Sequence, residues 1–300
     1  MNGEVKKVPW FDPDEHLKPG VKCLIVGKSH TGKSWLLHDW IYRMSKFNFK
    51  FGVAFTPNTA SVDMFAKWMP RSFVKKQSPE LLDQQNRLAK QLAERENTRG
   101  KPAVRNFIFT DDTAFDSKFS RSLGMSELFM NGRHHGTTAV HTIQYLMKVM
   151  PETRTNADIV ACAFENQRHV RKAIWSFWFS MVPSFKEFEE VFDEATLQYG
   201  FLVLNTRKAA TSRSWKECVS WYRVKNDPAN LPPMKLLPDN MYRIERLRSA
   251  ATTVAGTEDA AARAVVRLNR NGQIYRPSSN AAVAAASADH SADADMLPSM

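Results

Sequence analysis

The chain has 300 residues, 42 Lys and Arg against 31 Asp and Glu, and a formal net charge of +11. Its ordinary share of hydrophobic residues excludes a wholly disordered, collagenous or coiled-coil chain. No apolar run reaches the 18 or so residues of a membrane span, and MNGEVKKVPWFDPDEH lacks the apolar core of a secretory leader. The expectation is a soluble, intracellular protein without a membrane span. Cys23, Cys162 and Cys218 are far apart and show no metal-ligand spacing, which argues against a disulfide framework or a zinc site. Residues 251–300 hold 4 basic and 5 acidic side chains, so the positive excess lies in the first 250. Such an excess favours a polyanionic partner.

In chain order, residues 1–19 form a lead-in, 20–248 the folded domain and 249–300 an Ala/Ser-rich tail with 14 Ala in its last 50 residues. The tail has little apolar bulk to offset ordering entropy, so it is expected to be flexible, with a short helix possible at 257–268. Apolar runs alternating with amphipathic stretches predict an α/β domain with a mainly parallel central sheet flanked by helices. Strands are predicted at 21–26, 51–55, 106–110, 137–142, 159–164, 201–204 and 218–224. A helix over 34–44 places Leu36, Leu37, Trp40, Ile41 and Met44 on one face. The charged stretch 78–99 opens Ser78-Pro79-Glu80, a cap, a first-turn proline and an early acid, and reads as a helical surface insertion. Ser184-x-x-Glu187 marks another helix start, expected to bury Phe185, Phe188 and Phe192.

Gly27-Lys28-Ser29-His30-Thr31-Gly32-Lys33-Ser34 matches GxxxxGK[ST] in full, between the apolar VKCLIV and the helical WLLHDWIYRM. Glycines let the backbone curl so that its N–H groups face phosphates at the positive end of a helix. Lys33 would reach the β- and γ-phosphates, and the Ser34 hydroxyl would ligate Mg²⁺. This pattern assigns a nucleotide site, with ATP and Mg²⁺ as its ligands.

Asn106–Thr110 then leads an apolar strand into Asp111-Asp112. Asp111 fits the magnesium role and Asp112 that of polarising the attacking water. Gln144, at the end of the next strand, would sit beside the γ-phosphate and sense hydrolysis. Arg133, just before that strand, is expected at the edge of its own pocket, from where it could reach a neighbouring subunit's γ-phosphate as an arginine finger. His134 and His135 have no further ligands at metal spacing.

GKSHTGKS, FIFTDD, the NGRHHGTTAVHTIQ block and YGFLVLNTR together resemble the genome-packaging ATPases of large DNA viruses, in the FtsK–HerA superfamily. The likeness spans roughly residues 20–225. It implies a RecA-like P-loop NTPase sheet, assembly into a homo-oligomeric ring and ATP-driven movement of double-stranded DNA without sequence preference. Capsid or portal proteins and the virion follow as possible surroundings. It assigns Lys33 and Ser34 to phosphate and Mg²⁺, Asp111 and Asp112 to metal and base, Arg133 to the finger and Gln144 to the sensor. Another P-loop ATPase, such as a helicase-like motor, is the main alternative, and a small-molecule kinase a weaker one. The chain has neither an Asn-Lys-x-Asp guanine motif nor a Leu-Ser-Gly-Gly-Gln-like signature, which argues against a GTPase or an ABC-type ATPase.

Overall fold

A computed structural model describes residues 7–113, 116–232 and 234–246. The tail expected from residue 249, with its possible helix at 257–268, lies outside these. Eight strands form one sheet: β1 Lys22–Val26, β2 Phe51–Phe55, β3 Val74–Lys75, β4 Asn106–Thr110, β5 Thr137–Ile143, β6 Ile159–Ala163, β7 Phe201–Asn205 and β8 Val219–Tyr222. Their order is β3-β2-β4-β5-β1-β6-β7-β8. All neighbours from β3 to β6 pair in parallel, and β7 runs antiparallel to both β6 and β8. This is a mixed α/β fold around a mainly parallel sheet.

The strands read as near-continuous apolar runs because both faces of the sheet are covered. Leu24, Val26, Val53, Ile108 and Ala139 pack into one core. Cys23, Ile25, Ala54, Phe107, Phe109 and Val140 pack into the other. Alternate residues thus supply opposite faces, as the two-residue period of a strand requires. The helix Lys33–Met44 buries Leu36, Leu37, Trp40, Ile41 and Met44 in the second core.

The charged helix Pro79–Asn97 begins where its cap predicts, with Ser78 Oγ accepting the Leu81 N–H at 3.2 Å. It carries a buried face of Leu82, Asn86, Ala89 and Ala93, and Asn86 Nδ2 donates to the Gly124 carbonyl at 2.8 Å. Ser184 caps Phe185–Ala195 in the same way at 3.1 Å. That helix buries Phe188, Val191 and Phe192, whereas Phe185, expected inside, is only partly buried. Among the described residues no helix is long and apolar enough to cross a membrane.

Candidate nucleotide site

Parallel strands deliver their C-terminal ends to one edge of a sheet, and loops there converge on a shared crevice. The order β4-β5-β1 puts the loops after the acidic strand, after β5 and after β1 side by side. Between them and the β7–β8 end opens a cavity of about 700 Å³. Ser29, His30, Gly32, Lys33, Ser34, Asp111, Asp112 and Gln144 all line it.

The loop 27–34 is built by its two glycines. A Cβ at Gly27 would lie 2.7 Å from both Ala163 Cβ and Thr31 Oγ1, closer than real atoms approach. Gly32 caps the helix at φ 86°, in the left-handed region that glycine enters without strain. Thr31 Oγ1 donates to the Lys28 carbonyl at 2.7 Å, and Lys33 Nζ donates to the same oxygen at 2.6 Å. Burial lowers the Lys33 pKa from its ordinary value, while Asp111 and Asp112 act to raise it. The Lys28 side chain turns outward to Glu165 Oε1 at 2.7 Å and Asn166 Oδ1 at 2.9 Å, just past β6.

Asp111 is buried and accepts three hydroxyls: Ser34 Oγ at 3.0 Å, Ser61 Oγ at 2.8 Å and Thr142 Oγ1 at 3.0 Å. Only the first of these was foreseeable from the P-loop pattern. Ser61 arrives on the helix Thr59–Ala66, capped by Asn58, and Thr142 from inside β5. Polar residues in a buried strand were the available signal for Thr142; Ser61 had none. A carboxylate and a hydroxyl at 3.0 Å are hard oxygen donors, and they fit Mg²⁺, which takes few protein ligands and keeps the rest as water or phosphate.

Asp112 stands beside it with φ 54°, a left-handed conformation uncommon outside glycine and held here by its own N–H bonding to Thr142 Oγ1 at 2.9 Å. Its carboxylate accepts a hydrogen bond from Gln144 Nε2. Ser29 Oγ reaches the other end of that amide, Gln144 Oε1, at 3.4 Å. Burial first, and then the neighbouring Asp111 charge, raise the Asp112 pKa above its ordinary value, against the pull of Lys33. A carboxylate tuned in this direction is a better proton acceptor.

Arg133 is not brought to this cavity. Its Cγ lies 3.4 Å from the position of a Cβ on Gly20, before β1, and so at the N-terminal edge of the parallel strands. There it pairs with Asp158, which also takes Arg207 Nε and Nη2, both at 2.9 Å. The expectation that Arg133 borders its own pocket is therefore corrected. It precedes β5 while the P-loop follows β1, and the two strands run in parallel.

No protein-family model matches the chain. It is similar to uncharacterized protein 088R of Invertebrate iridescent virus 3, 26% identical over 217 residues that cover 71% of this chain and 78% of that one. It is also similar to uncharacterized protein L437 of Acanthamoeba polyphaga mimivirus, 23% identical over 68% of this chain and 72% of that one. Among solved structures it is similar to B204, the DNA-packaging ATPase of Sulfolobus turreted icosahedral virus. That match has 15% identity and a TM-score of 0.49, covering 70% of this chain and all of B204.

Proposed function

We propose that the chain is an Mg²⁺-dependent ATPase that moves double-stranded DNA and packages a viral genome. The observation that carries the reading is the convergence of Lys33, Ser34, Asp111, Asp112 and Gln144 on one cavity. The P-loop amides and Lys33 would bind and orient the phosphates, and Ser34 and Asp111 would hold Mg²⁺, whose chemistry there would be to neutralise phosphate charge. Asp112 accepts the proton of the attacking water. Gln144 donates to Asp112 Oδ1 and leaves Oδ2 to take that proton, so its amide couples the base to the γ-phosphate beside it.

The positive excess of the first 250 residues supports a polyanionic partner. Several of the basic residues are engaged within the chain: Arg168 with Glu189 at 3.4 Å and Arg171 with Asp193 at 2.7 Å. The contact with DNA is therefore assigned to the overall field and not to these side chains. The viral origin of the relatives supports a place in a virus, within the infected cell or the virion, and capsid or portal proteins are the companions that packaging requires. Arg133 faces away from its own pocket, so the trans role proposed for it requires a ring in which it meets another subunit's γ-phosphate.

ATP hydrolysis measured with duplex DNA, with single-stranded DNA and with neither tests this reading. Duplex DNA is expected to stimulate the most, with an apparent affinity that falls steeply between about 50 and 200 mM salt, as counterion release requires. Stimulation by single strands alone would favour a helicase-like motor. Hydrolysis indifferent to all DNA would remove the translocase.

A further inference from the structure

The cavity has a second wall that phosphate and metal chemistry leaves unused. Since β1 lies between β5 and β6 in the sheet, the acidic loops approach the P-loop from one side and the β7–β8 end from the other. On that far wall stand Gln198, Tyr199, Phe201, Arg223 and Val224, with Trp35 from the helix after the loop. A triphosphate whose γ end lies at Asp112 and Gln144 directs its nucleoside toward this side.

Three features mark the wall. Tyr199 is 70% exposed although it borders the cavity, and Trp35 is 50% exposed. Tyr199 lies across the loop: a Cβ on Gly32 would sit 3.6 Å from Tyr199 Cβ. Gln198 and Tyr199 hold successive φ values of 50° and 62°, left-handed for two residues without the freedom of glycine. Such strain persists where the surroundings fix it, and it gathers at ligand sites. Arg223 Nη1 donates to Gln198 Oε1 at 2.9 Å and its guanidinium lies 5.5 Å from the Trp221 ring centre. Its Nε is buried with no hydrogen-bond partner among the described residues. A buried donor left unpaired is rare in folded chains and calls for an explanation, a ligand acceptor being one. A single exposed aromatic needs none; an exposed ring, a strained turn and an unpaired guanidinium donor on one wall of a nucleotide cavity do.

We propose that this wall is the nucleoside subsite of the pocket. The base stacks on Tyr199, with Trp35 flanking it, and the Arg223 guanidinium, on the same wall, donates to an oxygen of the sugar. The inference rests on the nucleotide reading of the P-loop and assigns its other half.

Calorimetric titration of the full chain with ADP and, separately, with tripolyphosphate tests it. Tyr199→Ala is expected to weaken ADP about 5- to 150-fold, the range that loss of one stacked base spans, while tripolyphosphate binds as before. Tyr199→Phe keeps the ring and should keep ADP within about twofold of the native affinity. Arg223→Ala should likewise weaken ADP and spare tripolyphosphate. Native ADP binding by both Tyr199→Ala and Arg223→Ala would overturn the subsite. So would an equal loss of both ligands in Tyr199→Ala, since Tyr199 would then act only by shaping the loop at Gly32. Native binding of both ligands by Lys33→Ala would instead strike the phosphate site itself.

Discussion

The two edges of the sheet use the same residue types to opposite ends. At the N-terminal edge, Asp158 is buried and surrounded by Arg133, Arg207 and the main-chain N–H of Lys22, the last at 2.9 Å. Lys22, also buried, donates its Nζ to the Phe129 carbonyl at 2.5 Å. Charges there are largely spent on one another. At the C-terminal edge, Asp111 gathers three hydroxyls and, among the described residues, no cation at bonding distance, and Asp112 sits beside it with its pKa raised. Two adjacent carboxylates, a buried Lys33 and an open cavity form an arrangement that a metal and a phosphate chain would balance. One edge thus pairs its charges within the fold, and the other sets two carboxylates on an open cavity.

Arg133 is where this contrast breaks most sharply, because it belongs to the first edge by contact and to catalysis by proposal. Arg133→Ala is expected to lower ATP turnover by about 10³- to 10⁵-fold in the assembled protein, the worth of a finger in comparable transfers. Mixing it with Lys33→Ala subunits, which keep the arginine, should restore part of the activity. If Arg133→Ala hydrolyses ATP near the native rate, its only task is the pair with Asp158.

Asp158→Ala probes the same edge from the other side. It leaves Arg133 and Arg207 without their carboxylate and the Lys22 N–H without its acceptor. Both guanidinium groups are partly open to solvent, so the loss is expected to be about 2–3 kcal/mol, below that of a fully buried pair. Urea unfolding measures it, and tripolyphosphate affinity of the folded variant should stay native. A stability change within about 0.5 kcal/mol would mean that the edge is not held by this cluster.

Ser61→Ala and Thr142→Val remove single hydroxyls from Asp111 at the C-terminal edge. Each is expected to cost about 1–1.5 kcal/mol in orienting that carboxylate, seen as a roughly tenfold rise in the Mg²⁺ concentration that half-activates hydrolysis. An unchanged Mg²⁺ dependence in both variants would show that Ser34 alone positions the metal ligand.

What could be read in advance follows the distance over which each signal acts. The P-loop, its glycines and the run Asn106–Asp112 are contiguous, and each segment's hydrophobic pattern carries its own strand. Caps at Ser78 and Ser184 are local chemistry and were legible for that reason. The strand Val74–Lys75 is too short for any period to show. The helices Thr59–Ala66 and Leu123–Asn131 open on Asn58 and Ser122, weak signals beside the stronger apolar runs. Ser61, Thr142, Glu165 and Arg223 reach the site only through the folded sheet, 50 residues in the case of Ser61 to Asp111. Sequence nearness to β5 does not say on which side of the sheet's edge a residue's contacts lie, and Arg133 sits at the end away from the pocket.

In the proposed function the carboxylate pair at the C-terminal edge does the chemistry, with Asp112 as base. Asp112→Asn measured side by side for ATP binding and for single-turnover hydrolysis in the presence of duplex DNA tests it most directly. Asparagine keeps the shape and the place for the Gln144 contact but cannot take a proton, so ATP affinity should remain within a fewfold of native while hydrolysis falls about 10²- to 10⁴-fold. Hydrolysis by Asp112→Asn at the native rate would contradict the account.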